Sequence, residues 1–494
     1  MPQQHAVSAP PRYDRIIEVS FDPRQYLRQE AGHRVTGQAG GGDIGDVNDH
    51  HDQRRGLIQV LGTAFGLAIV VGATIGGGIL GTPGSVAKAL PNTVLFVGVW
   101  LFGAVNALLG ATAYAELGAM MPRSGGMYVF AHRAFGDGVG FFAGYADWVN
   151  WSVSSAALIA LVGEYLGKMI PALGGHPTIT GFGIFVLIAA VQWLGVRWGG
   201  RTQELTSVLK TAALLALVAA VFLLPHSAAP AAAAGTATLP HGVPLLLAFG
   251  VAMQGVIFSY DSYYAVVYCG EEIRDPGRAI PRSIFRGLLL VIATYLLLNA
   301  AFLAIVPVQQ MAGDPFVGGT VARMLFGARG DTVIRLIMIV AVAGTVNAQI
   351  MAAPRILLAM ARDGLFPSQA TRVNAGGTPS VALGLSLLLI ACFLFTGSFD
   401  AILGVDAFFI VVLYLVVFLS LFVLRRREPG TARPYRAWGY PVAPGLAVLF
   451  AVALLIAMTL GDRRGAIITF ALLLVSLPAS HVVRRLISKR TANK

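Results

Sequence analysis

Two stretches of this sequence put chemistry-bearing groups inside otherwise apolar runs. The first is Val71-Gly72-Ala73-Thr74-Ile75-Gly76-Gly77-Gly78-Ile79-Leu80-Gly81. Each glycine in a helix costs about 1 kcal/mol relative to alanine. The run 76–78 therefore weakens the helix at one point. Backbone freed from helical bonding in lipid must find other partners. Amides at the start of a second half-helix would suit a carboxylate. Small residues also let helices pack closely, and glycine alone supports either reading.

The second stretch is Phe258-Ser259-Tyr260-Asp261-Ser262-Tyr263-Tyr264. An ionised Asp at bilayer depth costs about 2.5–3.5 kcal/mol even on the milder insertion scales. Asp261 must line a cavity, meet a cation, carry a proton or cap an interrupted helix. Lys210, between Leu209 and Thr211, is another intramembrane charge. Its depth favours charge pairing, or replacement of a bound cation, over snorkelling to the surface. Asp147, Asn150, Asn299 and Asn347 read as helix–helix hydrogen-bonding residues, and Glu116 as solvated near a span end.

Nothing in the sequence asks for catalysis, a metal or another cofactor. The nine histidines, at 5, 33, 50, 51, 132, 176, 226, 241 and 481, all avoid mid-span positions. There is no HExxH or Cys/His ligand spacing, and His50–His51 reads as part of a solvated tail. Cys269 and Cys392 fall in or beside apolar runs and imply no disulfide framework.

The elements that position these groups are membrane helices. Only 12% of the 494 residues are charged, against roughly 25% in soluble domains, so lipid must solvate most of the chain. With about 20 apolar residues per crossing, twelve spans are predicted: 57–80, 92–120, 138–163, 179–196, 203–224, 245–270, 284–306, 331–361, 380–397, 399–424, 441–460 and 464–486. Residues 1–55 read as a cytoplasmic, largely disordered tail, and 225–244 as an outer loop. Of 36 Lys and Arg residues, 28 lie in the two tails and the even-numbered linkers or at the span ends that adjoin them. The positive-inside rule then puts both termini in the cytoplasm. That placement explains the formal charge of +12 without nucleic acid.

The first and sixth spans are the irregular ones, and they open two successive sets of five. Interrupted segments at corresponding positions are the sequence pointer to an inverted-repeat transporter with a ligand site between the repeats.

Four separated stretches resemble the amino acid–polyamine–organocation superfamily, in particular its L-type amino acid transporter and bacterial permease branch. They are Gly72–Ile79, Tyr114–Gly126 with Ala134-Phe135-Gly136, Glu271–Arg282, and Ala359–Pro367. The resemblance covers nearly all of the chain from residue 57. It implies an all-α, twelve-helix, LeuT-type five-plus-five core over 56–424, with a basic loop and two further helices over 425–486 and a cytoplasmic tail over 487–494. It also implies a substrate site at Thr74, Ile75, Gly76, Gly77, Gly78 and Ile79 with Phe258, Ser259, Tyr260 and Asp261. In that site the Gly77 and Gly78 amides meet a substrate carboxylate. Backbone carbonyls of Thr74, Ile75, Phe258 and Asp261 meet its ammonium, and Lys210 stands where sodium-coupled relatives hold a cation.

Two departures bear on the substrate. Gly77 stands where many relatives carry Ser, and Tyr260-Asp261-Ser262-Tyr263 where many bacterial relatives read Tyr-Asp-Gly-Trp. Ser262 and Tyr263 are expected to change the wall that selects the side chain. The expectation is a sodium-independent carrier of neutral amino acids in a cell membrane, working by proton symport or exchange. A carrier of amines or cationic amino acids, a non-transporting nutrient sensor and a homo-oligomer stay open.

Overall fold

The computed structural model describes Leu57, Gln59 and residues 61–224, 242–395 and 399–492. The expected tail over 1–55 and most of the expected outer loop over 225–244 lie outside these residues. Among the described residues the chain is helical, with isolated bridges and no strand. In order, the helices are α1 (Thr63–Thr74), α2 (Gly78–Ala89), α3 (Thr93–Met120), α4 (Met127–Phe135), α5 (Asp137–Met169), α6 (Pro177–Leu194), α7 (Val196–Leu223) and α8 (Val243–Tyr260). They continue as α9 (Pro276–Ile305), α10 (Val308–Met311), α11 (Val317–Phe326), α12 (Ala328–Arg362), α13 (Ser380–Leu394), α14 (Phe399–Arg427), α15 (Val442–Gly461), α16 (Arg463–Leu474) and α17 (Ser476–Ala492).

Eleven helical segments of the described residues are long and apolar enough to cross a membrane. The predicted ninth span is the apolar helix α13, 15 residues long, shorter than a perpendicular crossing needs. The outer helix faces are apolar, with Leu187, Leu205, Val208 and Leu209 all exposed, as lipid-facing residues should be. Trp193 and Trp198 are exposed where α6 meets α7, and the Arg201 guanidinium lies 5.8 Å over the Trp198 ring. Aromatic and basic residues of this kind anchor helix ends at a membrane interface.

Span boundaries differ most at the first helix. The sequence reading ends it at Leu80, just after the glycines, whereas the helix resumes as α2 and runs to Ala89. The glycine break therefore sits in the middle of a 27-residue crossing, Thr63–Ala89. Ser85 and Lys88 in α2 had masked its helical continuation. The fifth span starts at Val196 rather than 203, so Arg197 and Arg201 lie on its first turns. At the other end of the chain, α17 runs on to Ala492 and takes in most of the expected tail over 487–494.

The start of α3 shows the expected local logic: Asn92, after Pro91, accepts the amides of Val94 and Leu95 at 3.0 and 3.1 Å, a side-chain cap for otherwise unpaired donors. At the linker 121–126, Gly126 has φ 60° and lies against the Tyr268 ring, where a Cβ would collide. Both constraints require glycine.

Candidate functional site

The first-span break is a real interruption. The Ile75 amide still bonds back to Val71 O at 2.9 Å, but Ile75 is extended (φ −75°, ψ 93°) and α2 begins only at Gly78. The first amides of α2 have no partner within their own helix. The glycines also pack tightly. A Cβ on Gly76 would lie 2.9 Å from Thr345 Oγ1, and one on Gly78 would lie 2.8 Å from Ser259 Oγ. The two readings of the glycine run are thus compatible: close approach is what brings the unwound segment against its neighbours.

The sixth span breaks alongside. α8 ends at Tyr260, the chain turns through Asp261 to Tyr264, and a 3-10 segment follows over Ala265–Glu272. Ser262 adopts φ 70°, a left-handed conformation that glycine reaches without strain. Its hydroxyl donates to Asp261 Oδ2 at 3.0 Å. Asp261 Oδ1 accepts from Tyr264 Oη at 3.0 Å and from Tyr414 Oη at 2.6 Å. The carboxylate is therefore collared by three hydroxyls, two of them from its own unwound segment. Tyr295 links the breaks, with its Oη 2.9 Å from Thr74 O and 3.0 Å from Ser259 O.

Lys210 is 1% exposed. Its ammonium donates to Gly72 O at 2.5 Å, to Ala341 O at 3.3 Å and to Thr345 Oγ1 at 3.3 Å. No carboxylate is among these partners. It bonds a carbonyl-rich corner between α1 and α12, directly behind the glycine break. The other intramembrane polar residues mostly join helices. Tyr268 Oη bonds both Asp147 oxygens at 2.8 and 2.9 Å, and Asn347 donates to Gly199 O and Gln203 Oε1. Asn299 bonds back to Tyr295 O in its own helix. Glu116 departs from expectation. It is fully buried, held by Arg425 at 2.5 and 2.9 Å and by Arg433 at 3.0 Å, and it accepts the Ala437 amide at 2.7 Å. The basic loop folds back over the end of α3 and encloses it.

Two cavities meet at the breaks. A small one of about 20 Å³ is lined by Thr74, Gly76, Gly77, Gly78, Phe258 and Asp261 of the expected site, together with Ser154, Ser262, Thr345, Gln349 and Asp406. A larger one of about 600 Å³ shares Gly77, Gly78 and Phe258 and runs outward past Thr82, Tyr165, Phe316 and Arg335. Ile75, Ile79, Ser259 and Tyr260 are buried but line neither cavity, and neither does Lys210. Tyr263 also departs from expectation: it packs into the ring cluster of Tyr114, Tyr264 and Tyr414, leaving Ser262 as the changed wall residue. The sequence reading missed Asp406, Ser154, Gln349 and Thr345. Asp406 was findable, being a carboxylate inside a predicted span just as Asp261 is. The hydroxyl and amide residues carry no such signal.

The opposite end is plugged by charge. Arg355 of α12 forms a bidentate pair with Glu272, Nη2 lying 2.7 Å from both oxygens, with side-chain exposures of 3% and 0%. Arg362 pairs with Glu271 at 2.7 Å, and Glu271 also accepts the Ser124 amide. Next to this plug, Asp363 accepts from Arg123 and Tyr128, both at 2.9 Å, and faces His132 Nδ1 at 3.5 Å. Burial opposes the Asp363 charge, but the bonds from His132 and Arg123 hold its pKa down at about 2. The Asp363 bond, helped by Asp137, raises that of His132 against its partial burial. The His132 contribution is thus fully present below its ordinary value of about 6.5 and is lost as pH rises through the raised value. The Asp363 contribution is lost only as pH falls toward 2. Thermal melting in detergent from pH 5 to 9 should show stability declining on the alkaline side, and His132→Gln should flatten that decline. An identical slope in both proteins would remove His132 from the plug.

Broken first and sixth helices around a shared cavity, in a multi-pass helical membrane protein, define the class of a small-solute permease. The family described as "Amino acid permease" matches residues 61–477, and the chain belongs to that family, within the amino acid–polyamine–organocation superfamily. Its relatives are transporters. The serine/threonine exchanger SteT of Bacillus subtilis is 27% identical over 444 residues, 88% of this chain and 99% of SteT. The branched-chain amino acid permease BcaP of the same organism is 28% identical, over 80% of this chain and 87% of BcaP. The human b(0,+)-type amino acid transporter 1 is 26% identical, over 84% and 85%.

Proposed function

We propose that this permease is a sodium-independent secondary carrier of amino acids in the cell membrane, working by proton symport or by exchange, with its substrate held between the two helix breaks. The observation that carries this reading is the pair of cavities meeting at Gly77, Gly78 and Phe258. The α-carboxylate lies against the amides of Gly77 and Gly78, favoured by the α2 N-terminus. For the ammonium, Thr74 O and Ile75 O already accept the hydroxyls of Tyr295 and Thr345. More of its recognition therefore falls to the carbonyls of Phe258 and Asp261.

The charge placement favours both termini in the cytoplasm. On that orientation the large cavity opens outward and the Glu272–Arg355 plug closes the cytoplasmic side. The two breaks lie in the first and sixth spans, an offset of five with four spans between them, which supports a twelve-span chain with α13 as the ninth crossing and a five-plus-five core over 56–424.

Lys210 does the work of a bound cation. Its ammonium ties the carbonyls of Gly72 and Ala341 together beside the break. Replacing sodium by choline at fixed pH should leave uptake into proteoliposomes unchanged, and Lys210→Met should reduce uptake at least about tenfold, as expected when a charged hydrogen-bonding partner is lost. A strict sodium requirement, or a fully active Lys210→Met variant, would remove this role.

A further inference from the structure

We propose that Asp406 receives a second positive charge on the substrate, so that within the carrier reading above this site selects dibasic amino acids over neutral ones of the same length. Asp406 is on α14, 1% exposed, and lines the small cavity together with Gly77 and Gly78. Neither of its carboxylate oxygens has a hydrogen-bond partner among the described residues. Ser154 flanks it; that hydroxyl accepts from Gln349 Nε2 at 3.0 Å and keeps its own proton, so a single neutral hydroxyl is all that faces the carboxylate. A buried carboxylate left in this way is costly unless a cation joins it.

The two other charges at the breaks, Asp261 and Lys210, are already committed. Asp261 is saturated by Ser262, Tyr264 and Tyr414. Lys210 faces the carbonyls behind the break and lines neither cavity. The remaining wall is mostly polar, with Ser154, Ser262, Thr345 and Gln349 against only Ala73, Leu158 and Phe258 as apolar side chains. An aliphatic side chain would gain little there and would leave Asp406 desolvated and alone. A side-chain ammonium would reach it while the α-carboxylate and α-ammonium stay at the two breaks.

The test uses the full-length protein in proteoliposomes, with lysine and norleucine as probes, since they share a carbon chain and differ in the terminal ammonium. Lysine should compete for uptake at least about tenfold better than norleucine, and Asp406→Asn should collapse that ratio toward one, as removal of one partner from a desolvated charge pair does. Asp406→Glu should restore part of the preference. The lysine–norleucine comparison needs only the wild-type protein, so it decides the matter even where a variant does not fold. Norleucine competing as well as lysine, or an unchanged ratio in Asp406→Asn, overturns the inference alone. A pH profile of neutral uptake that moves in Asp406→Asn, with lysine excluded throughout, also overturns it and makes Asp406 a proton site. Uptake of neither probe, with other amino acids carried, overturns the inference; absence of uptake across a full amino acid panel overturns the carrier reading beneath it.

Discussion

Gly77→Leu should reduce substrate uptake by more than about 100-fold while leaving a protein that purifies as a single, monodisperse species. A Cβ on Gly77 would already lie 3.0 Å from Leu161 Cδ2 and 3.5 Å from Leu158 Cδ2. Those neighbours are the flexible ends of side chains and can give way. The rest of a leucine side chain has no room except in the cavity that Gly77 lines. It would also favour continuous helix across the break and turn the amides of 77 and 78 back into helical bonding. Two charge-assisted hydrogen bonds, each worth about 1.5–3 kcal/mol, would be lost from ligand recognition, which corresponds to a fall of about 100-fold or more. Gly77→Ala should be far milder, because a single methyl displaces only Leu161. Normal uptake by the leucine variant, measured beside size-exclusion and melting profiles, would move the binding site away from the first-span break.

The second large effect is expected at the plug. Arg355→Ala leaves the fully buried Glu272 carboxylate without its bidentate partner, and breaking one side of a buried pair costs about 3–5 kcal/mol. Melting temperature in detergent should fall clearly. The double variant Arg355→Met with Glu272→Met should recover much of the loss, because two apolar side chains leave no orphaned charge. The pair also holds the end of the sixth span against α12, so its loss should open that side of the molecule. Cys269, fully buried three residues before Glu272, should become reactive to a maleimide in Arg355→Ala with Cys392 replaced by serine. Unchanged melting and an unreactive Cys269 would show that the pair is a local contact rather than a closure.

The helical membrane class and most of the crossings were readable because lipid imposes one rule along the chain, a long apolar run per span. That rule weakens wherever a crossing is interrupted. The span containing Gly76–Gly78 was read as ending there, although Pro83, Ser85 and Lys88 lie within a helix that continues to Ala89. The same rule failed for Glu116 in the opposite direction. A carboxylate near a span end looks solvated in sequence, and only the folded basic loop brings Arg425 and Arg433 onto it. The two breaks were visible because glycine runs and intramembrane aspartates are rare and costly. The hydroxyl collar around Asp261 was not, since Tyr414 comes from 153 residues away. Gln349 and Thr345 face the cavity through helix rotation, which periodicity in a uniformly apolar span does not encode.

A chain that carries amino acids by holding the α-carboxylate at the first-span amides must distinguish that carboxylate from its ester. Counterflow uptake of radiolabelled amino acids into sodium-free proteoliposomes, with each free amino acid and its methyl ester as competitors, reads this out. Uptake should be saturable, blocked by the free acid and at least about 100-fold less sensitive to the ester, which removes the charge that the amides receive. Absence of uptake across the panel, or esters that compete as well as free acids, would contradict that mechanism.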